Sequence, residues 1–428
     1  GCARPKEGRV IMRKALVALA LTATVALAIS VSGVFAQTRT DAATPGVTKS
    51  IIHIGGTYPL TGPASLYAPI PKGMSVYFSY INSRVSKVDG KRGVYGRQID
   101  FKYLDDQYNP AQTVQLTNQL ILSNGVFAIV GSLGTEHNQA IRPILNQRKI
   151  PQLFIATGAS YWGVQNKEFP YTLGWQPDYI AEGKAYGQWI TKNAPTAKIA
   201  VFYQNDDYGK DYLNGLKQGL GAKASLIVSE ERYEVTDTSY ASQLVKQKAT
   251  GADTWVLLTT PTPTVRALAT AKAIAWKPDT IVINSVSAAD SVMRAATNSA
   301  GAAYTSGAIS SGYLKNPTNP TYAKDAFMRT YYRLMHKYAP GIDAANGFYY
   351  NGFAKAYDFV RLLYLAGPNL TREGLMAATK KMSWQNPYAI KGVLTKTSAT
   401  DRFPMSQFKL VRYTNNTWTE FGPLINGR

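Results

Sequence analysis

From residue 50 onward, short apolar runs alternate with segments of helical spacing. Ile51-Ile52-His53-Ile54 reads as a strand running into Gly55-Gly56. Pro71 suits a first helical turn, and Met74, Tyr77, Phe78, Ile81 and Val85 then follow a helical period. Ile99, Phe101 and Tyr103 alternate as in a strand, and Asn109-Pro110 reads as a cap and first helical residue. Val126–Val130 and Gln152–Ile155 are candidate buried strands, separated by a helix with Ala140, Ile141, Ile144 and Leu145 on one side. The rhythm restarts after Gly174-Trp175-Gln176-Pro177. Helices are predicted over 178–193, 209–221, 239–249 and 262–275, and strands over 198–203, 224–229, 254–258 and 280–284. Long helices follow near 320–338, 346–366 and 371–381, and 404–421 reads as a closing hairpin around Asn415-Asn416. Repeated βα units predict an α/β fold with parallel sheets covered on both faces.

A chain of 428 residues, 45% of them hydrophobic, exceeds one ordinary core and predicts two domains. The one cysteine, Cys2, excludes a disulfide framework, and three scattered histidines (His53, His137, His336) give little material for a metal site or a triad. At the N-terminus, Met12-Arg13-Lys14, the apolar run 15–31 and Val34-Phe35-Ala36 read as a secretory signal peptide cleaved after Ala36, with initiation at Met12. That predicts a periplasmic or extracellular protein. Residues 37–50 read as a flexible leader. The net charge is +21, and +17 without residues 1–36. No dense run of Lys and Arg occurs, so a diffusely basic surface is expected rather than a nucleic-acid footprint.

Ligands of open parallel sheets lie beyond the carboxyl ends of the strands. Three such ends are rich in small or polar residues: Gly55–Gly62, Gly131–Thr135 and Ala156–Ser160. Glycines admit close backbone approach, and a following helix start attracts an anion such as a carboxylate. Thr135 and Ser160 add hydroxyls. Tyr58, Tyr67, Tyr161, Trp162, Tyr203, Tyr208 and Phe348-Tyr349-Tyr350 stand near predicted strand ends or helix starts, which suits an apolar or aromatic ligand body.

Over about residues 51–400 the chain resembles the leucine/isoleucine/valine-binding proteins, the branched-chain amino acid class of periplasmic substrate-binding proteins of ABC transporters. The stretches that carry the resemblance are Gly56–Pro63, Asp105-Asp106-x-x-Asn109-Pro110, Val130–Gly134, Ile150–Ser160, Tyr203–Gly209 and Ala252–Val256. The resemblance implies a two-lobe periplasmic-binding-protein type I fold with three hinge crossings, near Trp175–Pro177, Ser311–Leu314 and Pro387–Ile390. Lobe 1 would comprise 51–176 and 313–388, and lobe 2 would comprise 177–312 and 389–428. It further implies a ligand-binding set of Tyr67, Leu133, Gly134, Thr135, Gly158, Ala159, Ser160, Tyr208, Thr260, Ser285 and Phe348. No cofactor, no metal and no catalytic residue is implied. The partners would be a small ligand and a membrane permease, with the protein a monomer.

One departure from that family bears on the ligand. Its amino-acid binders place an acid after the strand at 280–284, where this chain has Asn284-Ser285-Val286-Ser287. A buried ammonium without a carboxylate is costly. Asp178, Asp206 and Asp207 are the alternatives for that role, and each also reads as a solvated surface acid. The balance favours an aromatic or aliphatic acid without an α-amino group; a branched-chain amino acid and a short amide or urea-type ligand stay open. A soluble sensor feeding a receptor is the other functional reading. An enzyme is disfavoured: there is no G-x-S-x-G turn, and Pro59 and Pro63 interrupt any G-x-G-x-x-G cradle.

Overall fold

A computed structural model describes residues 44–427. The signal peptide and the first half of the predicted leader, residues 37–43, therefore lie outside the described residues. The first sheet is built from β1 (Ile51–Tyr58), β2 (Gln98–Asp105), β3 (Ala128–Val130), β4 (Gln152–Ile155) and β5 (Thr172–Gly174), ordered β2-β1-β3-β4-β5 and parallel throughout. β1 does not stop at Ile54. It continues through the glycines because β2 stays in register with it to the Tyr58–Asp105 pair. The intervening helices are α1 (Pro69–Ser83), α2 (Pro110–Leu122), α3 (Thr135–Gln147) and the short α4 (Tyr161–Val164). Asn109 caps α2 as read from sequence, its side-chain oxygen accepting from the N–H groups of Ala111 and Gln112. Val85 lies beyond the end of α1 and is exposed, so its match to the helical period was fortuitous.

The second sheet begins after α5 (Tyr179–Asn193). Its parallel part alternates β6 (Ile199–Gln204), α6 (Asp207–Leu220), β7 (Ile227–Tyr233), α7 (Ala241–Ala249), β8 (Thr254–Leu258), α8 (Pro261–Ala273), β9 (Thr280–Ile283), α9 (Asp290–Ala300) and β10 (Ile309–Gly312). The strand predicted at 224–229 is displaced. Residues 221–226 form a 3-10 turn, and β7 starts at Ile227, where pairing with β6 begins. Helices α10 (Ala326–Tyr338), α11 (Gly347–Ala366) and α12 (Arg372–Ala378) follow, and α10 and α11 pack on α1. A small hairpin, β11 (Ser383–Gln385) with β12 (Leu394–Lys396), precedes β13 (Gln407–Thr414) and β14 (Thr417–Asn426). These last two close the second sheet, β14-β13-β10-β9-β8-β6-β7, as an antiparallel edge. Asn415 and Asn416 both take positive φ, 52° and 60°, as a two-residue type I′ hairpin requires.

Two lobes result, one on each sheet, and three passages join them. The first runs through Trp175–Pro177. The second leaves β10, where Leu314 bridges Ala389. The third comes later than 387–390, because Thr395, Thr397 and Arg402 hydrogen-bond to Asp358 and Thr379 in the first lobe. The chain returns beside Met405, whose N–H donates to the Trp175 carbonyl at 3.2 Å.

Candidate functional site

The tip of the first sheet is shaped by close backbone packing. Past β3, Leu133 donates its N–H to the Thr57 carbonyl and bridges Ala156, so the strand tips are laced together by main chain. Gly131 has φ +75°, and a Cβ there would fall 2.6 Å from the Tyr58 hydroxyl. Gly134 has φ +103°, and a Cβ would fall 2.3 Å from His137 Nδ1. That conformation starts α3 at Thr135 and leaves the first helical N–H groups without intrahelical acceptors. Thr135 Oγ1 lies 2.6 Å from Thr157 Oγ1. Two hydroxyls share one hydrogen in that bond, so the other can be donated to a ligand.

These groups face a cavity between the lobes, about 1140 Å³ including the open solvent at its mouth. Tyr67, Leu133, Gly134, Thr135, Tyr208, Thr260, Ser285 and Phe348 all line it, joined from six separate stretches of sequence. Gly158, Ala159 and Ser160 do not. The wall from that turn is Ala156 and Thr157, two residues earlier, because Gly158 is pressed against Pro177 and Tyr179 and Ala159 packs with Ile155 and Trp162. Ser160 instead bridges the lobes, its N–H donating to Asp211 Oδ2 at 2.8 Å. Asp207 N–H donates to Glu136 Oε1 at 3.2 Å in a second such contact.

The walls are aromatic. Tyr67 meets Phe348 edge-on at 5.1 Å, and Tyr179 meets Tyr208 edge-on at 5.3 Å. Tyr108 lies on the His137 ring at 4.2 Å. Burial holds that imidazole down to about 4, so it is neutral at ordinary pH. Tyr108 escaped the sequence reading although its signal was in the Asp105-Asp106 motif. Asp105 accepts from the N–H groups of Leu60, Thr61 and Gln107, and Asp106 accepts from the Tyr108 N–H at 3.0 Å. The two carboxylates thus fold the turn that aims Tyr108 inward, at φ +58°. Gln176, Tyr179 and Tyr313 were likewise missed, since they come to the cavity only through the lobe passages.

In the second lobe, Asn284 donates to the Tyr208 hydroxyl at 2.9 Å, which leaves the phenolic hydrogen free to donate into the cavity. Tyr233 OH donates to Gln204 Oε1, and Thr260 is tied to both. At the turn after β9, Ser285 donates its N–H and Oγ to Glu182, each at 2.7 Å, and Tyr186 OH donates to the same carboxylate. Glu182 is buried behind the wall, where desolvation raises its pKa. Asp178 and Asp206 cap α5 and α6 with their side chains, and Asp207 sits in the first turn of α6; none of the three lines the cavity. The charged lining residues are Asp290, Lys315 and Glu420. Lys315 pairs with Asp325 at 2.7 Å, and Glu420 lies 3.8 Å from Lys409. Among the described residues no cluster of His, Cys, Asp and Glu could hold a metal ion.

Residues 51–417 match the sequence model of a family described as periplasmic binding protein. The chain is 24% identical over 204 residues to the Leu/Ile/Val-binding protein homolog 3 of Brucella melitensis, covering 47% of this chain and 52% of the relative. The match thus spans about half the length of that relative. Among solved structures, a fatty acid ABC transporter substrate-binding protein from Thermomonospora curvata aligns with a TM-score of 0.72 at 21% identity, over 88% of this chain and 93% of its own. A solute-binding protein of an ABC transporter from Rhodopseudomonas palustris BisB5, solved with 3,4-dihydroxy benzoic acid, aligns at 0.71 and 18% identity, over 88% and 97%. At these identities the structural likeness is one of fold.

Proposed function

The chain belongs to the periplasmic binding protein family, and from that premise we propose that it is the solute-binding protein of an ABC importer, closing its two lobes on a small carboxylate that lacks an α-amino group. The first-lobe end of the cavity offers the Thr135–Thr157 hydroxyls and the α3 N-terminus to an anion. Tyr208 offers a donor from the opposite lobe. Tyr67, Tyr108, Tyr179 and Phe348 supply apolar area for a hydrocarbon or aromatic body.

The observation that carries this reading is the turn after β9. Ser285 stands there, and the buried carboxylate nearest to it, Glu182, already accepts from Ser285 N–H, Ser285 Oγ and Tyr186 OH. An ammonium group beside Ser285 would be desolvated against a carboxylate whose accepting positions are already committed, at a cost of several kcal/mol. Fatty-acid and dihydroxybenzoic-acid binding by structural neighbours is in keeping with a ligand of this class.

Mechanistically, a ligand touching both lobes favours the closed arrangement by its differential contacts. The Ser160–Asp211 and Asp207–Glu136 hydrogen bonds and the Arg294–Asp343 pair at 3.1 Å then add to closure. The closed form would present its rim to a membrane permease. A thermal-shift screen of the purified protein against aromatic acids, aliphatic acids, branched-chain amino acids and short amides tests the reading. Acids should raise the melting temperature and leucine should not; a large shift with leucine overturns the assignment.

A further inference from the structure

Closing the lobes sets acids against acids. The first turns of α6 meet the first lobe through two hydrogen bonds: the Ser160 N–H donates to Asp211 Oδ2 at 2.8 Å, and the Asp207 N–H donates to Glu136 Oε1 at 3.2 Å. Asp206, which caps α6 through the Gly209 N–H, lies in the field of Glu136. It also accepts from Gln204 Nε2 at 2.6 Å, and Tyr108 reaches the same Gln204 side chain from the first lobe. Carboxylates of both lobes thus share one seam: Glu136 from α3, and Asp206, Asp207 and Asp211 from α6. Asp178, at the start of α5, acts on Asp211 from the lobe passage.

The seam has no matching cations. Among the described residues none of Glu136, Asp206, Asp207 and Asp211 forms an ion pair. On α6 itself, Lys210 is exposed and Lys217 pairs with Glu230 at 2.8 Å. From the first lobe, Tyr161 stands beside Asp207, Glu136 and Asp211. The cation behind it, Arg142, lies 5.6 Å from the Tyr161 ring and 4.0 Å from the Phe169 ring, and donates to Gln165 Oε1 and the Tyr161 carbonyl. Asp206 faces Tyr108 from the first lobe and Tyr179 from its own, and the His137 ring under Tyr108 is neutral. Both cross-lobe hydrogen bonds come from backbone N–H groups, so they satisfy the carboxylates without neutralising them. Closure removes water from these groups and brings like charges together, and both effects oppose it while the acids are ionised.

We propose that lobe closure is coupled to proton uptake: the seam of Glu136, Asp206, Asp207 and Asp211 resists closure while ionised and yields when acid neutralises Asp206 and Asp211. This rests on the two-lobe closing motion but on no particular ligand. The sign follows from the closed geometry. Burial, aided by Glu136 and Asp207, pushes Asp206 up to about 6 from 3.8, and burial aided by Asp178 and Asp207 does the same to Asp211. An open cleft rehydrates both and separates them from the first lobe, which returns them toward 3.8. A group whose pKa is higher in the closed form favours that form when protonated, so closure gains as pH falls through 6 and the gain is complete below 3.8. For one carboxylate moving between these values, the closed-to-open ratio is about fourfold higher at pH 5.5 than at pH 7.5, and for both about fifteenfold. Apparent ligand affinity follows the closed fraction, so acid tightens binding and a rise in pH loosens it.

The test is double electron–electron resonance on the ligand-free protein, with spin labels at Lys167→Cys in the first lobe and Asn214→Cys in the second, both exposed positions, in a Cys2→Ser background. The short-distance population should rise about fourfold or more relative to the long one between pH 7.5 and pH 5.5. Asp211→Asn keeps an acceptor for the Ser160 N–H, and Asp206→Asn keeps a cap for α6, so each removes a titrating group while preserving its hydrogen bond. Each substitution should cut the pH response to about fourfold or less, and the two together should abolish it, with circular dichroism unchanged. Using both variants keeps a folding defect in one from deciding the matter. Two distances in a proportion that ignores pH overturn the proton coupling and leave the closing motion intact. A pH response that survives both substitutions overturns the assignment to this seam. A single distance at every pH removes the closing motion, and the coupling falls with it.

Discussion

Lys355 offers the sharpest test of the physical reasoning, because one substitution isolates one cost. The residue lies on α11, fully buried, and its Nζ has no hydrogen-bond partner. Its stem fills the space beside Gly131, and its Nζ sits 4.9 Å from the centre of the Trp175 ring. The neighbouring carboxylate on the same helix, Asp358, is taken by the Trp175 and Trp384 indoles and Thr395. Desolvation accordingly drives the ammonium down to about 7 from its ordinary 10.5. A base whose folded-state pKa lies below its unfolded value binds fewer protons when folded, so stability rises with pH from about 7 to 10.5. At about 1.4 kcal/mol per pH unit the full penalty is ~5 kcal/mol below neutral pH, and the Trp175 face returns ~1–2 kcal/mol of it. Lys355→Met keeps the stem volume and removes the charge. Urea denaturation followed by circular dichroism should show the variant more stable by ~3 kcal/mol at pH 6, with the gap closing toward pH 10. A variant less stable than the parent at pH 6, or a gap that does not change with pH, refutes the argument.

Further predictions concern the cavity and the lobe contacts. Thr135→Ala and Tyr67→Ala should each weaken binding of the preferred acid about tenfold or more, near 1.4 kcal/mol, with melting temperatures little changed; calorimetric titration giving parent-like affinity in either would remove that residue from the site. Burial, aided by Asp178 and Asp207, pushes the Asp211 carboxyl up to about 6 from 3.8. An acid shifted upward favours the folded state while protonated, so its penalty grows as pH rises from 3.8 through 6 and is complete above that. Asp211→Asn keeps an acceptor for the Ser160 N–H, so it should stabilise the protein by ~1–2 kcal/mol at pH 7.5 and by nothing at pH 4; equal gains at both values would contradict this.

Much of the α/β rhythm was legible in the sequence because local signals agreed with tertiary ones. Asn109-Pro110 caps a helix wherever it sits, and Asn415-Asn416 tolerates the left-handed conformations of a tight hairpin in any context. The glycine- and hydroxyl-rich strand ends were legible too, since main chain can approach a neighbour closely only where no Cβ intervenes, as at Gly131 and Gly134. Boundaries set by partners were not. β1 runs to Tyr58 because β2 accompanies it, and β7 begins only where β6 offers pairing.

The sequence by itself determined the class of fold, the order of its elements and which turns bear the small residues, because propensity, capping and period act over a few residues. Only the tertiary structure decided that Ala156 and Thr157 rather than Gly158–Ser160 face the cavity, and that Tyr108, Gln176, Tyr179, Asp290 and Trp418 join it. Those outcomes depend on which groups meet across two lobes and three passages. Contacts between residues more than a hundred positions apart leave no local pattern, so their hydrogen-bond accounts close, or stay open, only in three dimensions.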